Sequence, residues 1–307
     1  MCVYNMYNFN NLTIVIVTFL TDKKTLLNCL NSIDNKVKVI IVENSSKFKD
    51  RHFFINKFSN LQIFCTGKNL GYGGGNNYGL QKVKTDYGMI LNPDTILDKS
   101  FFRNINPLLN NKSFSLIGCE LIDNNTYMTG GFFNEKKNET FRREFLTNER
   151  KNLTKVDWIA GCSILLNLRK IKKKKIFDEN FFLYFEEFDF CQLLKKENHQ
   201  VYISKSLKIH HLGFKSSTLK VNDFKAESEK LRNWHYMWSQ FYYYKKNYGF
   251  ISAFFKLIGK LFKSLSKTFI YQIIFDQRNK NKYLYRSLGL ISSMFGFKSS
   301  YRGKFFN

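Results

Sequence analysis

Proline, paired cysteine, long apolar runs and acid are all scarce in this chain, and each shortage excludes a class of protein. The 307 residues include only 2 prolines, so extended Pro-rich linkers are ruled out. The 6 cysteines, Cys2, Cys29, Cys65, Cys119, Cys162 and Cys191, are scattered and form no CxxC pair. That pattern supports neither a zinc site nor a disulfide framework, and leaves reduced, cytosolic-type thiols as the expectation. The first eleven residues lack the basic stretch and apolar run of a secretory signal. No window of about 18 uncharged apolar residues occurs, so no membrane-spanning helix is expected. Acid is short as well: Asp+Glu number 24 against 49 Lys+Arg, a formal charge of +25. Such a balance draws a protein toward polyanions. The recognised nucleic-acid motifs are missing, so nucleic acid is not the expected partner.

What is present is a sufficient apolar supply, 44% of the chain, with 33 Phe and 17 Tyr. Lysine beside aromatic residues suits a membrane interface. The first third alternates short β-branched runs with longer segments. Leu12–Val17, Val37–Val42, Leu61–Cys65 and Tyr87–Leu91 read as strands buried on both faces. The segments between them have crossover-helix length. Asp22 is placed to cap the first, with Leu26, Leu27, Leu30 and Ile33 as its inward stripe. This predicts an α/β fold with an open, mostly parallel sheet flanked by helices. Further on, 115–122, 156–168, 201–204 and 207–211 read as strands and 186–197 as a helix presenting Phe190, Leu193 and Leu194 to the core. Past residue 249 there are 11 Lys+Arg and one acid. Lys256, Lys260, Lys263 and Lys267 share one helical face, with Phe254, Ile258, Leu261, Phe262, Leu265 and Phe269 opposite. This predicts a C-terminal cationic amphipathic helix whose apolar face either packs on the rest of the protein or meets a membrane.

Open α/β sheets bind ligands beyond the carboxyl ends of their strands. Those ends here carry Thr18-Phe19, Glu43-Asn44-Ser45, the run Asn69–Asn77 (NLGYGGGNN) and Asn92-Pro93-Asp94. The last could be an ordinary turn, or could present a carboxylate to a hard cation shared with phosphate. Gly71, Gly73, Gly74 and Gly75 fit either a flexible loop or a close backbone approach at a helix start, and match neither dinucleotide nor P-loop spacing. Glu186, Glu187 and Asp189 open a helix behind an aromatic run. They fit simple helix-dipole capping, or a partly buried carboxylate used as a general base. His210-His211 fits a structural pair or a metal ligand, and Gly213, Lys215, Ser216 and Ser217 make a basic loop suited to phosphate.

Taken in order, VIVTF, VIIVENSS, NLGYGGGNN, LNPDT, WIAGCSILL, FFLYFEEFDFC and HHLGFKSS resemble the family 2 glycosyltransferases of GT-A fold, specifically the rhamnosyltransferase-like branch of bacterial surface polysaccharide synthesis. The resemblance runs over roughly 12–218. It implies an inverting transfer from a dTDP- or UDP-linked sugar to a lipid-linked saccharide, on the cytoplasmic face of the membrane. Carried over by position, it places Thr18, Phe19, Glu43, Asn44, Asn69, Gly71, Asn76, Asn77, Asn92, Pro93, Asp94 and Lys215 on the donor. It places Trp158, Gly161 and Cys162 on the acceptor side. It implies Mg²⁺ or Mn²⁺ at Asp94 with His211 as second ligand, or His210 if the register shifts by one. Glu187 falls at the base, within an acidic cluster with Glu186 and Asp189.

The chain departs from the family pattern at four places. Asn92 stands for the first metal-motif Asp, Phe19-Leu20 for Tyr-Asn, Glu43 for Asp, and Glu187 for an Asp base. The expected division is 12–95 for nucleotide sugar, 96–218 for acceptor and catalysis, and 219–307 for a helical basic-aromatic extension. Two other classes compete. One is a non-catalytic basic protein binding membrane or nucleic acid, which leaves the acidic cluster unexplained. The other is a nucleotidyltransferase, which would need a basic loop where this chain has TFLTDKK.

Overall fold

A computed structural model describes residues 9–110, 113–122, 129–147, 151–173, 175–213 and 223–306. Lys215 and its neighbours, expected as a phosphate loop, lie outside the described residues. Among the described residues, contacts group those within 1–67, 75–176 and 190–218 into one unit, and those within 68–74, 177–189 and 219–307 into a second.

The first unit is built on a sheet. In chain order its elements are β1 (Leu12–Thr18), α1 (Lys23–Asn31), β2 (Lys38–Glu43), α2 (Arg51–Lys57), β3 (Leu61–Cys65), α3 (Gly71–Leu80), β4 (Tyr87–Leu91), β5 (Thr95–Leu97), α4 (Phe101–Asn110) and β6 (Leu116–Leu121). They continue with β7 (Gly130–Gly131), α5 (Glu135–Thr147), β8 (Leu153–Lys155), β9 (Trp158–Ile159), β10 (Ser163–Asn167), α6 (Glu186–Lys196) and β11 (Val201–His211). The first turns of α3 and α6 group with the second unit. The strand order is β3-β2-β1-β4-β10-β6-β11-β5, with β8 on β11. Strands β3, β2, β1 and β4 run parallel, as do β6 and β11. The reversed strands are β10, β5 and β8.

The fully buried runs of β1, β2 and β4 make the core, with Ile14, Ile16, Val39, Ile41 and Met89 near zero exposure. Asp22 caps α1 as expected, accepting from the backbone N–H of Lys24 and Thr25. Leu26 and Leu30 of that helix are buried.

Four local expectations change. The stretch 156–168 is not one strand: β9 and β10 are separated by a turn at Gly161-Cys162. The two short strands at 201–211 are one strand with a bulge between Ser204 and Lys208, which explains the break in its apolar pattern. Strand β5 had no sequence signal at three residues. Finally, the glycines of NLGYGGGNN are helical. A Cβ at Gly79 would overlap Val15, and one at Gly75 would come within 2.7 Å of Val17 and 3.1 Å of Asn44. These residues recur at i and i+4, so α3 lies flush on β1 and β2. The helix forms despite its propensity, because close backbone packing outweighs about 1 kcal/mol per glycine.

The second unit is dominated by α7 (Phe224–Tyr248), α8 (Phe250–Ile273) and α9 (Gln277–Met294). Met237, Phe241, Ala253, Leu257 and Leu290 form its small core, with Leu261 and Met294 against it. The expected amphipathic helix is α8, and several large side chains of its expected apolar face are left outward. It packs through Ala253, Leu257 and Ser264, while Phe262, Leu265 and Phe269 are exposed. His235 is buried, held by Tyr301 O at 2.7 Å and Ser299 Oγ at 3.0 Å. Burial lowers its pKa to about 3.

Candidate functional site

Within the sheet unit, one group of polar residues collects at the carboxyl ends of β1, β2 and β4. Thr18 Oγ1 donates to Glu43 Oε2 at 2.6 Å and Ser45 Oγ donates to Glu43 Oε1 at 2.7 Å. Burial raises the Glu43 carboxyl above its ordinary range, and the two hydroxyl donors partly offset it. Asn44 is fixed beside them, its N–H donating to Thr18 O at 2.7 Å and its Oδ1 accepting from Thr66 Oγ1 at 3.3 Å. Thr18, Glu43, Asn44, Ser45 and Thr66, from the ends of β1, β2 and β3, are thus tied together at one sheet edge.

Asn92-Pro93-Asp94 does make a turn, closed by Thr95 N–H on Asn92 O at 3.1 Å, with proline where such turns favour it. The turn and the metal readings are therefore compatible. Because β10 runs antiparallel to β4, the Gly161-Cys162 turn lies next to it, and Asn92 N–H donates to Cys162 O at 2.9 Å. Because β5 pairs with the end of β11, His211 reaches the same place. Its Nε2 lies 3.3 Å from Oδ1 of the fully buried Asp94 side chain. This approach misses hydrogen-bond geometry: His211 Nε2 is buried without a hydrogen-bond partner among the described residues.

A nitrogen and a carboxylate oxygen set this way suit a shared divalent ion. Adjacent ligands at about 2.1 Å from a metal stand about 3 Å apart. No group of three or more His, Cys, Asp or Glu side chains stands ready for a metal among the described residues. Two protein ligands fit an ion that takes its remaining oxygens from phosphate and water.

His210 does not share this position. Successive strand residues face opposite sides, and His210 interacts electrostatically with Asp98 instead. Of the two, it is His211 that lies beside Asp94. Trp158 lies on β9, its Nε1 donating to Phe132 O at 3.4 Å and its ring against Gly131.

The matching with known proteins can be set on this geometry. A profile of the family described as Glycosyl transferase family 2 matches residues 13–173, more than half of the chain. This protein belongs to that family. The low-salt glycan biosynthesis hexosyltransferase Agl10 of Haloferax volcanii is 24% identical over 208 residues, covering 64% of this chain and 66% of that relative, just under two thirds of its length. The GalNAc-T7 structure with UDP, GalNAc and Mn²⁺ has a TM-score of 0.54 at 11% identity, over 66% of this chain and 44% of its own. The mannosyltransferase PcManGT from Pyrobaculum calidifontis, in complex with GDP-Man and Mn²⁺, has a TM-score of 0.52 at 10% identity, over 92% and 87%. At these identities the structural likeness is one of fold, and it is the GT-A fold.

The second unit of this glycosyltransferase holds a second group. Asn69 Oδ1 accepts from Gly71 N–H at 3.0 Å, Asn69 Nδ2 donates to Phe306 O at 3.2 Å, and Tyr72 N–H donates to Phe182 O at 3.0 Å. Gly71 has φ +76°, and a Cβ there would overlap the Phe182 carbonyl. Tyr184 and Phe185 both adopt left-handed backbone, φ +71° and +70°, directly before α6. For aromatic residues this conformation costs about 1 kcal/mol or more each and is characteristic of functional segments. It delivers Glu186 and Glu187 to the first turn of α6.

Glu186 is buried against Gly73, and its Oε1 has no hydrogen-bond partner among the described residues. Burial and the adjacent Glu187 push its carboxyl well above the usual range. Glu187 is only partly buried by accessible surface, yet the crowding around it raises its carboxyl to about 7, against a weaker lowering by the helix N–H groups.

Two candidate residues are otherwise committed. Asp189 binds Lys246 Nζ at 2.6 Å and Asn247 Nδ2 at 3.0 Å, which makes it a structural anchor. The Asn77 side-chain oxygen accepts from Ile176 N–H at 3.0 Å and holds that backbone in place of a donor. The structure also adds Ser45, the second hydroxyl on Glu43, whose signal was its place in VENSS. Lys246 had no local signal, since it meets Asp189 from 57 residues away.

Proposed function

We propose that this glycosyltransferase moves a hexosyl-type sugar from a nucleotide diphosphate to an acceptor hydroxyl with inversion at the anomeric carbon. The observation that carries the reading is the Asp94–His211 pair, 3.3 Å apart beside the Thr18–Glu43–Asn44 cluster. Thr18, Glu43 and Asn44 orient the nucleoside, and Asn92 and Pro93 shape the turn that aims Asp94. Asp94 and His211 would hold Mg²⁺ or Mn²⁺; Mn²⁺ accompanies UDP and GDP-Man in the two similar structures. When bound, such an ion supplies Lewis-acid stabilisation of the charge gathering on the departing diphosphate.

Glu187 accepts the proton of the attacking hydroxyl. A carboxylate near pKa 7 is well matched to that task at neutral pH. Glu186, its carboxyl pushed well above the usual range by burial and the adjacent Glu187, flanks it. The acceptor side includes Trp158, Gly161 and Cys162. The lipid-linked saccharide acceptor and the dTDP- or UDP-linked deoxyhexosyl donor rest on the sequence resemblance; hexosyl transfer also has the support of the Agl10 match.

Thermal-shift titration with dTDP-, UDP- and GDP-linked hexoses and deoxyhexoses, with and without Mn²⁺, tests the reading. One donor should stabilise the protein in a metal-dependent way, and Asp94→Ala should abolish that dependence. Metal-independent donor binding, unchanged in Asp94→Ala, refutes it. The anomeric configuration of the product, read by NMR, decides inversion.

A further inference from the structure

Helix α8 carries a face that no described residue of its own unit covers. At about 100° per residue, Ile251, Phe255, Phe262, Phe269 and Ile273 fall within a sector of about 40°. Their exposures are 73%, 74%, 64%, 68% and 58%. The residues that pack inward, Ala253, Leu257 and Ser264, lie on the opposite side of the helix. The turn that follows continues the surface, with Phe275 at 89% exposure. A row of this kind is far more than the scattered apolar side chains of an ordinary surface.

Charge identifies its occupant. Lys256, Lys260, Lys263 and Lys267 line the flank between the packed side and the exposed stripe, and α8 contains no acid. Lys256 lies over the Tyr244 ring and Lys260 donates to Gln240, both on α7, and Lys267 donates to Tyr283 on α9, so these three cations border the packed side of α8, while Lys263 is exposed. The stretch 249–307 holds 11 basic residues and one acid. A second copy of this chain would bring the same cations against each other. An anionic bilayer instead offers acyl chains to the stripe and headgroup phosphates to the lysines. No described helix is long and apolar enough to cross a membrane, which fits a helix lying in the interface plane.

We propose that the Ile251–Ile273 face of α8 is a docking surface for an anionic lipid bilayer, its Phe/Ile stripe immersed among the headgroups and its lysine flank on the phosphates. The inference goes beyond the proposed transfer reaction and stands without it. If both hold, the surface brings the enzyme to a membrane-confined acceptor.

The test is co-sedimentation of the full chain with vesicles of phosphatidylcholine plus phosphatidylglycerol, and of phosphatidylcholine alone. The triple variant Phe255→Ser, Phe262→Ser, Phe269→Ser changes exposed residues only and should keep its circular dichroism and melting temperature. Its partitioning onto anionic vesicles should fall about a hundredfold. Lys256→Gln with Lys263→Gln should weaken anionic binding about twentyfold and leave binding to neutral vesicles unchanged. Sugar-nucleotide turnover in solution should be unchanged in both, so a failure of the catalytic reading is separable from a failure of this one. Undiminished vesicle binding by the triple variant overturns the proposal. So does a wild-type dimer, seen by sedimentation, that ignores vesicles and dissociates when the three Phe are replaced.

Discussion

Replacing Glu187 by Gln should inactivate the enzyme and stabilise the fold, and the second effect should depend on pH. The sign follows from the carboxyl's position. In the folded chain it titrates near 7, against an ordinary 4.5. The protein therefore favours the protonated form, and holding the ionised form destabilises it. Below the ordinary value both states are protonated and the difference is nil. Between there and pH 7 the penalty grows by about 1.4 kcal/mol per pH unit. Above pH 7 it is constant at no more than about 3 kcal/mol, and nearer 1–2 once partial exposure is allowed for.

Glutamine keeps the shape and never ionises. Glu187→Gln should match wild type in melting temperature near pH 4 and exceed it by a few degrees at pH 8. Its kcat should fall by about 10²–10⁴, the usual worth of a general base. Wild-type kcat should rise with pH along a limb centred near 7. Calorimetry at the two pH values, with kcat profiles on both proteins, checks all three. A lower melting temperature for the variant at pH 8 would show that the carboxylate is not desolvated. Near-wild-type kcat would remove Glu187 from the reaction.

Glu186→Gln keeps the shape of the neighbouring carboxyl, so it should keep kcat within several-fold; a loss as large as that of Glu187→Gln, read in the same kcat profiles, would move the base to Glu186. Asp94→Ala should remove Mn²⁺-dependent donor stabilisation altogether and His211→Ala should weaken it about tenfold or more, as read by titration calorimetry; equal, metal-independent affinities would refute the pairing. Glu43→Gln leaves one of Thr18 and Ser45 without a good acceptor and should lose about 1–3 kcal/mol in urea unfolding, with a raised donor KM. Gly79→Ala pushes a methyl group into Val15 and should destabilise by about 1–3 kcal/mol in the same assay, although alanine is the better helix former.

How much of this was legible from sequence depends on whether the controlling contact was local. The four parallel strands were, because each is a continuous apolar run ending in polar residues. Asp22 was too, because a cap acts over three residues. The helical glycines were not. Their sequence signals a loop, and only the closeness of Val15 and Val17 explains why a residue without Cβ sits in α3. The inward face of α8 stays open in the sequence for a related reason. Periodicity separates apolar from cationic sides but does not say which apolar side meets a neighbour, and small residues such as Ala253 and Ser264 pack closest. Asp94, His211 and Glu187 came from motif order rather than from chemistry visible in any one segment. The commitment of Asp189 to Lys246 joins residues far apart in the chain and leaves no local trace.

The acids of the two clusters differ in what meets them, and this narrows their roles. Asp189 faces an ammonium group 2.6 Å away, so its charge is already matched. Glu43 has a hydroxyl donor on each oxygen, which fixes its orientation and favours its ionised form. Asp94 faces an imidazole nitrogen that makes no hydrogen bond to it, an arrangement suited to sharing a cation. Glu186 and Glu187 are different: burial raises both, the adjacent Glu187 raises Glu186 further, and no cation offsets either. An acid held near neutrality without a counter-charge can take up a proton and release it at little cost, whereas a salt-bridged acid cannot. Of the two, Glu186 is the more deeply buried, so the carboxyl open to an acceptor hydroxyl is that of Glu187. The left-handed turn at Tyr184-Phe185 is what places this uncompensated pair at the start of α6, and the strain of that turn is a reason to expect that the placement serves the chemistry.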